Sequence, residues 1–152
     1  MSLQDELKAL KERIAELEYH AKEQQEFPQE GHWYWYITSD AGIGMNSWEG
    51  EFEFEKEQLS IGNIFRTREE AKFALEKLKV EAELRKFSVP FKRGGNYTFN
   101  YHHEDEKIVN VYASEGYQEI GELYFKSNEE LNKAIKSVGE ERIKKYIFRV
   151  ED

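Results

Sequence analysis

The chain has 152 residues, no cysteine and a formal net charge of −9 at pH 7. Disulfides, thiolate metal sites and cysteine nucleophiles are therefore excluded, and so acidic a chain opposes general phosphate binding, whose affinity comes from lysines and arginines that release counterions. The length suits one compact domain with an appendage. No apolar run approaches the ~18 residues of a membrane span and the N-terminus is acidic from Asp5-Glu6, so a cytoplasmic protein without membrane contact is expected.

Leu3, Leu7, Leu10, Ile14, Leu17 and Ala21 recur at alternating steps of four and three, the seam of a coiled coil. With Leu7, Ile14 and Ala21 at a positions, Leu3, Leu10 and Leu17 fall at d, a mix that tends toward two parallel strands. Glu6 and Lys11 then occupy g and the following e, as do Arg13 and Glu18, and both pairs attract in a parallel partner. Residues 1–26 are expected to be an oligomerisation helix that makes contact through Leu3, Leu7, Leu10, Ile14 and Leu17; the alternative is a helix folded back on its own domain. Pro28 and Gly31 break the pattern, and 27–31 reads as a linker.

The remainder, 32–152, reads as an α+β domain. His32–Thr38 contains the strand composition Trp33-Tyr34-Trp35-Tyr36-Ile37, and 40–44 reads as a turn. Glu51-Phe52-Glu53-Phe54-Glu55 alternates strictly, which predicts a half-buried strand with phenylalanines inward and glutamates in water. A short strand over 61–65 leads to Thr67, which forms a capping box with Glu70. Sixty residues on, Phe125-Lys126-Ser127-Asn128-Glu129-Glu130-Leu131 answers Phe65-Arg66-Thr67-Arg68-Glu69-Glu70-Ala71, preceded by strands at 97–101, 108–112 and 121–125. The expectation is a duplicated ββ(β)α unit, 32–88 and 96–150, that forms one antiparallel sheet with packed helices, or else two small layers facing each other, and closes on a last strand at 146–150.

The helix after Thr67 is apolar on two sides, with Ala71, Ala74, Leu75, Leu78 and Ala82 on one and Phe73, Val80, Leu84 and Phe87 on the other, so it should be covered twice. Phe73 and Leu84 are candidates for contact with the arm, a second subunit or a target. Charge is uneven. Residues 31–65 carry one lysine against six acids, whereas 66–95 carry nine basic residues against five acidic ones. Arg85, Lys86, Lys92 and Arg93, around Phe91 and Gly94-Gly95, are candidate phosphate or nucleotide ligands. Glu51, Glu53 and Glu55 are candidates for a basic protein surface.

Catalytic chemistry is not visible. His20, His32, His102 and His103 lack ligand spacing, no glycine-rich loop joins a strand to a helix, and no nucleophile elbow or acid–base pair stands out, so no metal, no cofactor and no enzymatic activity are expected. The run of strands followed by a helix capped Phe-Lys/Arg-Thr/Ser-x-Glu-Glu resembles the arm-type DNA-binding domains of phage integrases, which implies a DNA-binding regulator. The DNA-facing strands of that group are basic, and Glu51, Glu53 and Glu55 would repel phosphate.

Ile61 to Ala71, Glu76 to Val80 and Leu84-Arg85-Lys86-Phe87, with Leu123 to Ser127 and Gly139 to Tyr146, resemble small proteins encoded by phages and prophages of Gram-positive bacteria. That resemblance implies a phage origin and brings no catalytic residues with it. The function expected is a non-catalytic accessory protein that binds and inhibits or redirects a host or defence component, in the manner of anti-CRISPR and other counter-defence proteins. A module that sequesters a nucleotide signal or phosphate ligand is the alternative, and nucleic acid is not expected as a partner.

Overall fold

The computed structural model describes residues 2–23, 26–113 and 116–151. The elements in chain order are α1 (Leu3–Glu23), β1 (Trp33–Ile37), β2 (Ile43–Ser47), α2 (Glu53–Ser60), α3 (Arg68–Arg85), β3 (Asn96–His102), β4 (Lys107–Ala113), α4 (Asn128–Val138) and α5 (Glu140–Tyr146). The protein is thus α+β. It packs as two units, one of Met1–Tyr36 and Gly44–Thr67, the other of Ile37–Ile43 and Arg68–Asp152.

In the first unit, β1 pairs with β2 in a two-stranded sheet. Tyr34 is fully buried and meets buried Trp48 edge-on, with ring centroids 5.9 Å apart. The residues read as a linker are tied to this hairpin. Gly31 N–H donates to the Trp48 carbonyl at 2.9 Å, and Phe27 stacks on His32 at 6.1 Å with the Arg66 guanidinium 5.0 Å from its ring.

The second unit holds the main core: Val80 and Leu84 of α3, Phe99 of β3, Phe125 ahead of α4, Leu131, Ala134 and Val138 of α4, and Ile143 of α5. β3 and β4 pair antiparallel from Asn96 opposite Ala113 to His102 opposite Lys107. Ser127 caps α4 as its spacing predicts, its hydroxyl accepting the Glu130 N–H at 3.2 Å. Gly139, at φ +102, separates α4 from α5 in a conformation that disfavours a side chain.

Several expected strands are corrected. Residues 51–55 do not form a strand: Glu53 opens α2, because Glu53-Phe54-Glu55-Lys56-Glu57-Gln58-Leu59 is rich in helix formers. Residues 61–65 and 121–125 supply single bridges, Trp35 with Phe65 and Tyr97 with Phe125, plus Val89 with Tyr124. The sequence expected as a closing strand instead finishes α5, where Tyr146, Ile147 and Phe148 turn onto the core. Their β propensity yields to burial, since Phe148 packs on Phe99 and Tyr101, each at 5.7 Å. The 40–44 turn is shorter than expected, as β2 begins at Ile43. The two hairpins form separate sheets, not one.

The two Phe-x-Thr/Ser segments nevertheless make the same local contact. Trp35 and Phe65 exchange N–H···O=C bonds of 3.0 and 2.9 Å, and Tyr97 and Phe125 exchange bonds of 3.1 and 2.8 Å. The segments differ in what precedes them, since α2 lies between β2 and the first bridge and no helix lies between β4 and the second among the described residues.

Candidate interaction surfaces

The arm presents its seam to solvent. α1 starts cleanly because the Ser2 hydroxyl accepts Asp5 N–H at 3.2 Å and donates to Asp5 Oδ2 at 2.7 Å. Those bonds with Ser2 hold the Asp5 carboxyl below its ordinary pKa. Leu3 is 85% exposed, Leu7 55%, Leu10 61%, Ile14 48% and Leu17 51%. No part of the described chain covers them, so the folded-back alternative is not what the structure shows.

α2 presents the second surface, and it is built around a buried glutamate. Glu55 is 1% exposed. Its Oε2 accepts Glu49 N–H at 2.9 Å and Gly50 N–H at 3.3 Å, which pins the 48–52 loop against the start of the helix. Burial pushes the Tyr34 phenol above its ordinary pKa, and the negative charge of Glu55 adds to that while a hydrogen bond with Asn46 opposes it. Glu55 is thus occupied by its own loop. It is not part of an acidic face, and this corrects the reading that grouped it with Glu51 and Glu53, which remain exposed.

The pinned loop sets Phe52 at the N-terminal boundary of α2, with φ −79 and ψ 135. From there the Phe52 ring stacks on that of Phe54 at 5.6 Å and 21°, and each residue is 51% exposed. The sequence pattern had pointed both rings inward. Instead they form an outward aromatic pair that alternates in sequence with the exposed Glu51 and Glu53, with Glu49 and Glu57 exposed nearby in sequence. Two acids in the first turn also suit the positive end of the helix dipole.

The remaining candidates are largely committed. Leu84 is 1% exposed in the core and cannot meet a partner. Phe73 is half-buried, packed on Tyr146 at 5.1 Å with the Arg149 guanidinium 5.4 Å from its ring. It also walls an open cleft of about 520 Å³ on the second unit, where Lys72 and Lys145 are matched by Glu69 and Glu76 so that neither sign of ligand is favoured. Arg85, Lys86, Lys92 and Arg93 are exposed. The aromatic expected beside them, Phe91, is taken by Tyr124 at 5.1 Å. Asn96, fully buried, accepts Lys92 N–H at 3.0 Å and donates back to the Lys92 carbonyl, which closes the Lys92–Gly95 turn on itself.

The histidine pair is engaged in its turn: His102 Nδ1 accepts Asp105 N–H at 3.1 Å, and His103 meets Tyr101 edge-on at 4.8 Å. Among the described residues no three His, Asp or Glu side chains converge as metal ligands, and no helix is long and apolar enough to cross a membrane. Compared with protein-family models, with curated proteins and with solved structures, the chain finds no match in any of the three.

Proposed function

We propose that this chain is a non-catalytic accessory protein that acts by binding a basic protein surface through the start of α2. The observation that carries the reading is the Phe52–Phe54 pair, stacked, half exposed and alternating in sequence with the exposed Glu51 and Glu53. Rings so placed retain apolar area that a partner can still bury, about 1 kcal/mol for each half ring. Aromatic anchors of this kind concentrate binding energy, while the flanking carboxylates select a cationic partner and speed encounter. The resemblance to phage- and prophage-encoded proteins gives the setting, in which the partner is a host or defence protein whose own nucleic-acid-binding surface supplies the positive charge.

The test is affinity capture from a nuclease-treated lysate of a Gram-positive host, with the wild type beside Phe52→Ala/Phe54→Ala and Glu51→Lys/Glu53→Lys. One stoichiometric basic protein is expected on the wild type, with affinity reduced about tenfold or more in either variant. Glu55 is left in place because its removal would disturb the loop and confound the result. Equal capture by all three proteins, or recovery of a nucleotide in place of a protein, would reject the α2 surface; the second outcome would direct attention to Arg85, Lys86, Lys92 and Arg93.

A further inference from the structure

From the geometry of α1 we infer that a second copy of this chain covers its seam, forming a parallel, in-register, two-stranded coiled coil that carries two target-binding bodies at one end. The inference is separate from the identity of any target. α1 is continuous over 21 residues, yet its five large seam residues are all between 48% and 85% exposed. Helices in water draw most of their stability from packing an apolar face, and here no such packing comes from within the described chain. The missing cover must match a stripe only two residues wide per heptad, which is what an identical helix presents.

Charge fixes the direction. In a parallel pair each g residue faces the e residue five positions later on the other helix. Glu6 then meets Lys11 of the second copy, and Arg13 meets Glu18, on both sides of the seam. Glu6, Lys11 and Glu18 make no ion pair within the described chain, so they are available for these contacts. Arg13 already holds Glu16 at 2.7 Å through Nη1 alone, and the other N–H groups of its guanidinium fork can still reach a second carboxylate. Two parallel arms release both chains at the same end, and a target that offers two sites is then held with an avidity neither body has alone.

The absence of native cysteine makes the arrangement directly readable in the full chain. Light scattering should give twice the monomer mass. Under mild oxidation Leu3→Cys and Leu10→Cys, both at d, should each cross-link to themselves, and Glu12→Cys, at the outward f position, should not. An antiparallel pair would instead join Leu3→Cys to Ala21→Cys in a mixture.

A second set of variants leaves the seam intact. Glu6→Lys/Arg13→Glu should weaken self-association about tenfold or more, as should Lys11→Glu/Glu18→Lys, because each sets like charges against one another in the homodimer. An equimolar mixture of the two variants should recover a heterodimer of near wild-type affinity. A monomeric or trimeric mass, preferential Leu3→Cys to Ala21→Cys joining, or a mixture that stays as weak as its parts would each overturn the inference.

Discussion

Arg142 of α5 holds Glu83 of α3 with two parallel hydrogen bonds, Nη1 to Oε2 at 2.8 Å and Nη2 to Oε1 at 3.1 Å. Its Nη1 also donates to the Val138 carbonyl at 3.1 Å, so one guanidinium joins α3, the end of α4 and α5. The bonds from Arg142 keep the Glu83 carboxyl below its ordinary pKa. A group whose folded pKa is depressed stabilises the fold above its unfolded value, about 4.3 for glutamate, and that contribution is lost as pH falls through the folded value.

Both side chains are 38% exposed, so solvent screens the pair. Glu83→Gln should cost about 0.5–1 kcal/mol at pH 7 and less at pH 3, because acid moves the wild-type carboxyl toward its protonated form. Urea titrations at the two pH values, followed by circular dichroism, check this. A gap that persists unchanged at pH 3 would assign the loss to packing rather than to charge.

The strands β1, β3 and β4 and the helices α1, α3 and α4 were legible because each carries its own period, cap or β-branched and aromatic composition. The heptad of α1 is a local pattern, and so is the Ser127 cap. α2 was illegible for a specific reason. Five alternating residues, Glu51 to Glu55, satisfy a strand period, and nothing within them reveals that Glu55 will be drawn to the N–H groups of Glu49 and Gly50. Once that carboxylate turns inward, the helix takes the segment and the phenylalanines turn out. The same holds for Tyr146 to Phe148, whose strand-like composition is consumed by contacts with Phe73, Phe99 and Tyr101 that are distant in sequence. Of the candidate binding residues, the exposure of Glu51, Glu53, Arg85, Lys86, Lys92 and Arg93 could be read from their charge; the burial of Glu55 and Leu84 depends on tertiary packing.

Removing the Glu55 carboxylate should therefore do more than delete a charge. Glu55→Ala leaves the Glu49 and Gly50 N–H groups without their acceptor and opens space beneath the loop, at an expected cost of about 2–3 kcal/mol. Glu55→Gln keeps one acceptor oxygen and should recover about half of that. Trp33, Trp35 and Trp48 are the three tryptophans of the chain and all belong to the first unit. Their fluorescence should shift to the red in Glu55→Ala as the Trp48 loop loosens. An unshifted spectrum with wild-type stability would mean that the hydrogen bonds do not hold the loop.

Gly44 of β2 lies so close to Tyr36 of β1 that a Cβ there would stand 2.5 Å from the ring Cζ and 2.7 Å from the hydroxyl oxygen. The constraint is one of space, because Gly44 does not adopt the left-handed backbone that favours glycine. Gly44→Ala should push the Tyr36 ring aside, toward or away from Tyr34, whose ring lies 5.9 Å from it and itself contacts Trp48. Overpacking of this kind costs about 1–3 kcal/mol. If the ring is the obstacle, Tyr36→Ala removes it, and Tyr36→Ala/Gly44→Ala should cost less than the sum of its parts by about 1 kcal/mol. Denaturation monitored by tryptophan fluorescence measures all three variants, and strictly additive losses would show that the close approach to Tyr36 is not why glycine stands at this position.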